Sequence, residues 1–240
     1  MRKDHRPYIV KRLDLGFQSW YANHFLRPQL QSLGEGCHFM KPWFVEIFGG
    51  PIAVGAYTHI IATPDKRVRL TVWSTLESGG RIEIGNYCLV CPGVRLSAGS
   101  EIVIGDNVML AQGAFVTDSD WHGVYDRSLS VGQSAPVRIG RNAWIGDSAL
   151  VTKGVTIGEN SIIGAGAVVI RNIPPNCVAV GNPATVIREL DPERPIKTRG
   201  DWMADPQALA AQFAEIDRDA MKNNTWPGWL RSMIRPVRGD

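Results

Sequence analysis

A six-residue rhythm runs through residues 139–169 and limits what this chain can fold into. Ile139, Ile145, Val151, Ile157, Ile163 and Val169 stand six apart, and Gly140, Gly146, Gly158 and Gly164 directly follow four of them. Ala143, Ala149, Val155, Ser161 and Ala167 fill a second slot, four residues after each aliphatic. A period of six suits neither a helix at 3.6 residues per turn nor a strand at 2. It suits a chain that runs along a flat face, turns a corner and repeats, with the aliphatic pointing inward and the small residue filling the corner. Three such faces close one coil, which makes the repeat a β-helix signature.

The same phase extends upstream. Ile84, Val90, Leu96 and Ile102 keep it, so the stretch from Ile84 to Ile102 reads as one coil. Ile104, Leu110 and Val116 resume it after a two-residue slip, read as a register adjustment at a corner. Ile52, Val54, Thr58 and Ile60 form an imperfect first coil, and Val68, Leu70 and Val72 alternate as in a strand. The fold class expected is all-β, a parallel β-helix of about five to six coils, roughly 25 Å tall at ~4.8 Å between strands. Between Val116 and Ile139 the inward pattern vanishes. That polar segment is too long for a corner and is expected to leave the coil as an excursion loop over 117–137, where function tends to sit.

The flanks read differently. Residues 1–44 suggest an N-terminal helical cap, with Leu13, Phe17, Trp20, Tyr21 and His24 at helical spacing and Pro28 ending or kinking the run. Such a stripe would close the open end of the solenoid; beside Lys11, Arg12 and Arg27 it also suits a membrane surface. His24 reads as a packed ring. The β-helix is assigned to 45–190, and 191–240 to a linker and C-terminal helical extension. Within the latter, Asp205–Pro206 is a helix start, Leu209, Phe213, Ile216 and Ala220 make one apolar face, and Trp226 and Trp229 accompany Arg231, Arg235 and Arg238.

Bulk properties exclude several classes. At 44% hydrophobic and 20% charged, the 240 residues have the composition of a soluble globular protein. A net charge of +3 gives no case for nucleic acid, although Arg2, Lys3, Arg6, Lys11 and Arg12 crowd the N-terminus. No apolar run has the length of a membrane span and no signal-peptide core stands at the start, so a cytoplasmic setting is expected, with peripheral membrane contact through the basic aromatic termini as a secondary expectation. Four cysteines do not form a disulfide framework. Cys88 and Cys91 spell C-x-x-C, but the six-residue phase puts Cys88 in the small inward slot and Cys91 just after an inward aliphatic. No second pair completes a metal set.

Several segments together resemble the hexapeptide-repeat acyltransferases, in particular their xenobiotic, galactoside and maltose O-acetyltransferase branch. They are IGDNVMLAQGAFVTDSDWH, IGRNAWIGDSALVTKGVTIGENSIIGAGAVV and the closing VGNPATVIREL, about residues 80–190. The resemblance implies a left-handed parallel β-helix, an exception to the right-handed crossover rule. It also implies a homotrimer, acetyl-CoA as co-substrate and no metal. The family's catalytic histidine lies in the loop corresponding to the excursion, whose only histidine is His122. This chain has D-S-D-W-H-G where the family commonly has T-x-x-H-P, which alters the local loop.

The chemistry this implies needs little else. A thioester is already activated, and the missing part is a base for the proton of the attacking hydroxyl or amine. A free imidazole, with a pKa of ~6.5, suits that role. Asp118, Asp120 and Asp126 are close enough in sequence to orient the ring, or else cap loop turns; Asp120 and Asp118 are the catalytic candidates beside His122. Trp144, matching the family's N-x-W-I-G, and Trp121 are candidates for the acceptor channel. Gly146, Ala165 and Gly166 match pantetheine contacts, and Asn182 with Pro183 matches the turn near the adenine end. Arg188, Lys153 and Arg171 are the cationic candidates for CoA phosphate, with Thr185 standing where the family commonly has arginine. Two other readings remain open: a γ-carbonic-anhydrase-like metalloenzyme using His38, His59 and His122, whose scattered phases oppose it, and a non-catalytic β-helix scaffold.

Overall fold

The computed structural model describes residues 3–73, 79–128 and 130–237. Arg2 and Arg238, counted above among the basic termini, lie outside the described residues. Three parallel sheets wrap a single core. The first stacks Ser32–Leu33, Ile52–Val54, Arg81–Ile84, Glu101–Ile104, Val137–Ile139 and Thr156–Ile157. The second runs from His38–Met40 through His59–Ile61, Leu89–Val90, Met109–Leu110, Trp144–Ile145 and Ile162–Ile163 to Cys177–Gly181, which folds back antiparallel as Ala184–Glu189. The third stacks Val45–Phe48, Val68–Val72, Arg95–Ala98, Phe115–Thr117, Leu150–Val151 and Val168–Val169. The chain visits first, second and third sheet in turn, so each triplet of strands is one circuit. The first strands begin ahead of residue 45, where the sequence pattern becomes clear.

The six-residue phase is the core. Ile139, Ile145, Val151, Ile157, Ile163 and Val169 are at most 2% exposed, and Ala143, Ala149, Val155, Ser161 and Ala167 at most 1%. Fully burying each such aliphatic stabilises the fold by roughly 1.5–3 kcal/mol. At the corner between the first and second sheets, Asn107, Asn142, Asn160 and Asn176 take left-handed backbone, with φ of 56–63°. Asparagine tolerates that conformation better than other residues bearing a Cβ. Their side chains join across coils, Asn142 Nδ2 donating to Asn160 Oδ1 at 3.0 Å and Asn160 Nδ2 to Asn176 Oδ1 at 2.7 Å.

Some expectations change in detail. Ile84 stacks on Ile104, and Ile102 on Ile82, so the coil that starts at Ile84 closes at Ile104 rather than Ile102. The two additional residues are taken up between Arg95–Ala98 and Glu101–Ile104, at the corner between the third and first sheets. Cys88 is buried, its Sγ 3.2 Å from the Gly105 carbonyl, as its inward slot predicts.

The N-terminal helix α1 (Tyr8–Tyr21) continues as a π-helical turn, Ala22–Leu26, and a 3₁₀ turn, Arg27–Gln29, at Pro28. Its aromatic stripe does not close the coil: Leu13, Phe17 and Trp20 are 51–66% exposed. Ala22, Leu26 and Leu30 enter the core instead, while the buried Gln18 accepts the Lys41 backbone N–H at 2.7 Å. His24 is exposed, its ring stacked on the exposed Trp20 at 5.2 Å rather than packed into the core. Beyond the prism come α2 (Arg199–Trp202), α3 (Pro206–Met221) and α4 (Trp226–Ile234). Asp205 caps α3 as expected, accepting the Ala208 N–H at 2.9 Å. Phe213 and Ile216 on the expected apolar face of α3 are nevertheless exposed. Among the described residues no helix is long and apolar enough to cross a membrane.

Candidate functional site

The excursion leaves the third sheet after Thr117 and rejoins the first sheet at Val137. Its two limbs pair antiparallel: Asp120 N donates to Gln133 O at 2.9 Å, Gly132 N to Asp120 O at 2.7 Å, and Ala135 N to Asp118 O at 2.9 Å. Side chains fix its root. The carboxylate of Asp118, fully buried, accepts the Gly99 and Ser100 N–H groups at 2.7 and 2.8 Å and the Ser119 hydroxyl at 2.6 Å. Trp121 Nε1 donates to Thr117 Oγ1 at 3.1 Å. Lys153 Nζ donates to Asp120 Oδ2 at 2.6 Å, with both side chains about one-third exposed. His122 follows these anchors on an exposed bend, and lines a concave surface with Asp120, Trp121, Val124 and Arg127.

The three aspartates therefore separate. Asp118 holds the loop to the coil below it. Asp126 caps a turn: the Ser128 hydroxyl and backbone N–H, at 2.6 and 3.0 Å, hold its carboxyl below the usual range. Asp120 alone of the three shares the concave surface with His122. Lys153, expected to face the co-substrate, is engaged by Asp120 beside the loop, because its corner stacks directly against the excursion. Sequence reasoning missed this pair: the two residues are far apart along the chain, and the strand pairing across the excursion brings them together.

A second group gathers at the corner between the second and third sheets. Gly146 N donates to Ile163 O at 2.8 Å, and Gly166 N to Asp147 O at 2.7 Å, which stacks Gly146 beneath Ala165 and Gly166. A Cβ on Gly146 would lie 2.7 Å from the Ala165 nitrogen. Asn182 and Pro183, joined by a cis peptide, make the turn of the final hairpin at the same end of the second sheet. Trp144, 45% exposed, stands on the second sheet in the column Met109, Trp144, Ile162, Val178 and Arg188. Arg171 is exposed just after Val168–Val169, leading into the corner from which the excursion springs. One chain thus presents His122 at one edge and the glycine corner with the Asn182–Pro183 turn at another, and does not bring them together.

His38 and His59 are register partners on the second sheet, with ring centroids 5.6 Å apart. Burial, with Arg199 and His38 nearby, lowers the His59 pKa to about 4. His122 rises from a different corner, so the three histidines do not converge. Among the described residues no three His, Cys, Asp or Glu side chains are grouped to hold a metal.

Comparison with known proteins follows the same lines. The bacterial transferase hexapeptide (six repeats) family matches residues 136–171. A galactoside O-acetyltransferase of Escherichia coli K12 is 39% identical over 115 residues, which are 47% of this chain and 56% of that protein. A putative acetyltransferase of Staphylococcus aureus Mu50 is 47% identical over 77 residues, 32% of this chain and 39% of that one. The chain thus spans about half or less of the length of these curated relatives. Among solved structures, AntD, an N-acyltransferase from Bacillus cereus in complex with dTDP and 3-hydroxybutyryl-CoA, matches with a TM-score of 0.57 at 17% identity, over 80% of this chain and 96% of that chain. The last is a likeness of fold. The resemblance to hexapeptide-repeat acetyltransferases holds on the sequence matches.

Proposed function

We propose that this hexapeptide-repeat chain, similar over about half its length to a galactoside O-acetyltransferase, moves an acetyl group from acetyl-CoA to a hydroxyl, or secondarily an amine, of a sugar or glycan precursor. The observation that carries the reading is an exposed imidazole on a loop whose flanks are tied down by Asp118, Asp120–Lys153 and Trp121. A base positioned in this way meets the geometric need of acyl transfer from a thioester. In the proposed step the acceptor oxygen attacks the thioester carbonyl while His122 takes its proton. Backbone N–H groups stabilise the tetrahedral oxyanion. The intermediate then collapses, the C–S bond breaks, and His122 returns the proton to the departing thiolate.

The remaining assignments belong to the same proposal. The prism is left-handed, its circuits of strands running from Ser32–Leu33 to Val168–Val169, with the helical segments on either side as extensions. Gly146, Ala165 and Gly166 line the pantetheine path, and Asn182 and Pro183 lie near the adenine end, with Arg188 and Arg171 toward phosphate. Asp120 orients His122, and Trp121 and Trp144 wall the acceptor channel. Because His122 and the glycine corner stand on different edges of one prism, the site is completed between copies, and the active species is a homotrimer. A sedimentation mass of one or two chains at working concentration would be incompatible with that.

The test is an acceptor screen that follows release of the CoA thiol. His122→Ala should lower turnover by ~10²–10⁴-fold and leave acetyl-CoA affinity within a few-fold. Near-wild-type turnover would remove His122 from the mechanism. Failure of calorimetry to detect acetyl-CoA binding would favour the scaffold reading.

A further inference from the structure

On the third sheet, one outward column breaks the usual pattern of cross-strand charge pairing. Glu46, Arg69, Arg95 and Phe115 are successive register partners. Arg69 and Arg95 therefore sit directly opposite each other at the ~4.8 Å strand spacing, and like charges so placed are destabilising. Glu46 relieves only one side: its carboxylate takes Arg69 Nε at 2.6 Å and Arg67 Nη1 at 2.7 Å. Arg95 has no carboxylate partner among the described residues; its guanidinium lies on the Phe115 ring, 4.0 Å from the centroid. Lys66 likewise has no carboxylate partner there. Lys66, Arg67, Arg69 and Arg95 line one concavity with the single carboxylate of Asp65. The exposed face of the first sheet shows the contrast: Arg81 and Arg138 both pair with Glu101, and no such excess remains.

The position of this shelf gives it meaning. Arg95 pairs with Phe115, two residues before Thr117, whose hydroxyl holds Trp121 beside His122. The shelf lies at the corner between the second and third sheets, on the column that continues through Gly113 and Ser148 to Gly146 and Gly166, the edge that the proposed trimer sets against the excursion of the next copy. The Asn182–Pro183 turn lies at the far end of the stack of coils.

We propose that Lys66, Arg69 and Arg95 form an acceptor subsite for an anionic group, so that the natural acceptor is a phosphorylated or carboxylated sugar rather than a neutral one. A bound oxyanion would sit between two arginines that otherwise repel. Guanidinium forks suit phosphate and carboxylate alike. The inference rests on the acetyltransferase reading, and its test separates the two. First, inorganic phosphate is titrated calorimetrically into protein saturated with CoA, at low and at moderate salt. Wild type should bind it in a salt-dependent manner, and the Lys66→Gln/Arg95→Gln variant at least tenfold more weakly. Second, galactose, galactose 1-phosphate and galacturonate are compared as acceptors. One of the acidic sugars should exceed galactose at least tenfold in kcat/KM, and which one does so tells phosphate from carboxylate. The double variant should abolish that advantage through KM while the KM for acetyl-CoA stays unchanged. Equal phosphate affinity in wild type and variant would overturn the proposal, as would an equal rate for galactose, or a variant defect in CoA binding instead. Transfer to galactose with no phosphate binding would sink the subsite and leave the acetyltransferase reading standing. No transfer to any acceptor would do the reverse to that reading, and the titration would still decide the shelf.

Discussion

At position 132 a methyl group has nowhere to go. A Cβ on Gly132 would lie 2.4 Å from the His122 carbonyl oxygen and 3.2 Å from the Asp120 Cβ, and backbone cannot yield as a flexible side-chain end does. Gly132→Ala must therefore displace the bend that carries His122. If His122 is the base, this variant should lose ~10²-fold in turnover, the scale of a small misplacement of a catalytic group. Acetyl-CoA affinity should stay within a few-fold, since the glycine corner of Gly146 and Gly166 is on another edge. Single-turnover rates beside calorimetry check it, and unimpaired acyl transfer would show that the loop position is immaterial. The histidine was legible because it is the only one in a polar excursion from a periodic chain. Gly132 was not, because its constraint comes from a residue across the loop and no local pattern records that. The split among Asp118, Asp120 and Asp126 was hidden for the same reason: partners from three different stretches decide it.

Among the elements, the coil was the most legible and the terminal helices the least. A period of six reports burial at every sixth residue, and packing then enforces the register. An amphipathic stripe reports only that an apolar face exists, not what covers it. In α1 the chain then passes into the π-helical Ala22–Leu26, whose wider turn alters the helical phase, so Ala22 and Leu26 reach the core while Phe17 and Trp20 point away. The asparagine corner makes an element-scale prediction. Asn160 has φ of 59° and both donates to Asn176 and accepts from Asn142. Asn160→Ala combines left-handed strain with loss of two partly exposed hydrogen bonds, and should cost about 1–3 kcal/mol. Asn160→Gly removes the strain and should recover part of that. Denaturant midpoints will order the three proteins; a glycine variant less stable than the alanine variant would refute the backbone share of the argument.

For the whole molecule, the C-terminal segment is tied back onto the early coils. Arg199 Nε donates to Tyr87 O at 2.8 Å, Gly200 N donates to Asn107 Oδ1 at 2.6 Å, and the buried Arg199 Nη2 has no hydrogen-bond partner among the described residues. Beneath this strap lie His59, His38, Cys88 and Cys91, so a second cation there is unwelcome. Burial first, and then Arg199 and His38, bring the His59 pKa to about 4, against ~6.5 for a free imidazole. Between those values the unfolded chain binds more protons than the folded one, so stability falls as pH drops from about 6.5 towards about 4. Carboxylates held below their usual range, such as Glu46 paired with Arg67 and Arg69, add their own loss at lower pH. His59→Gln isolates the imidazole share. Its melting temperature should fall less than that of wild type between pH 7 and pH 4.5, by a few degrees, since ~1 kcal/mol moves Tm by ~2–4 °C at this chain length. Parallel melting curves for the two proteins over that interval would mean that His59 accepts its proton in the folded state, and that the strap does not keep the second sheet uncharged.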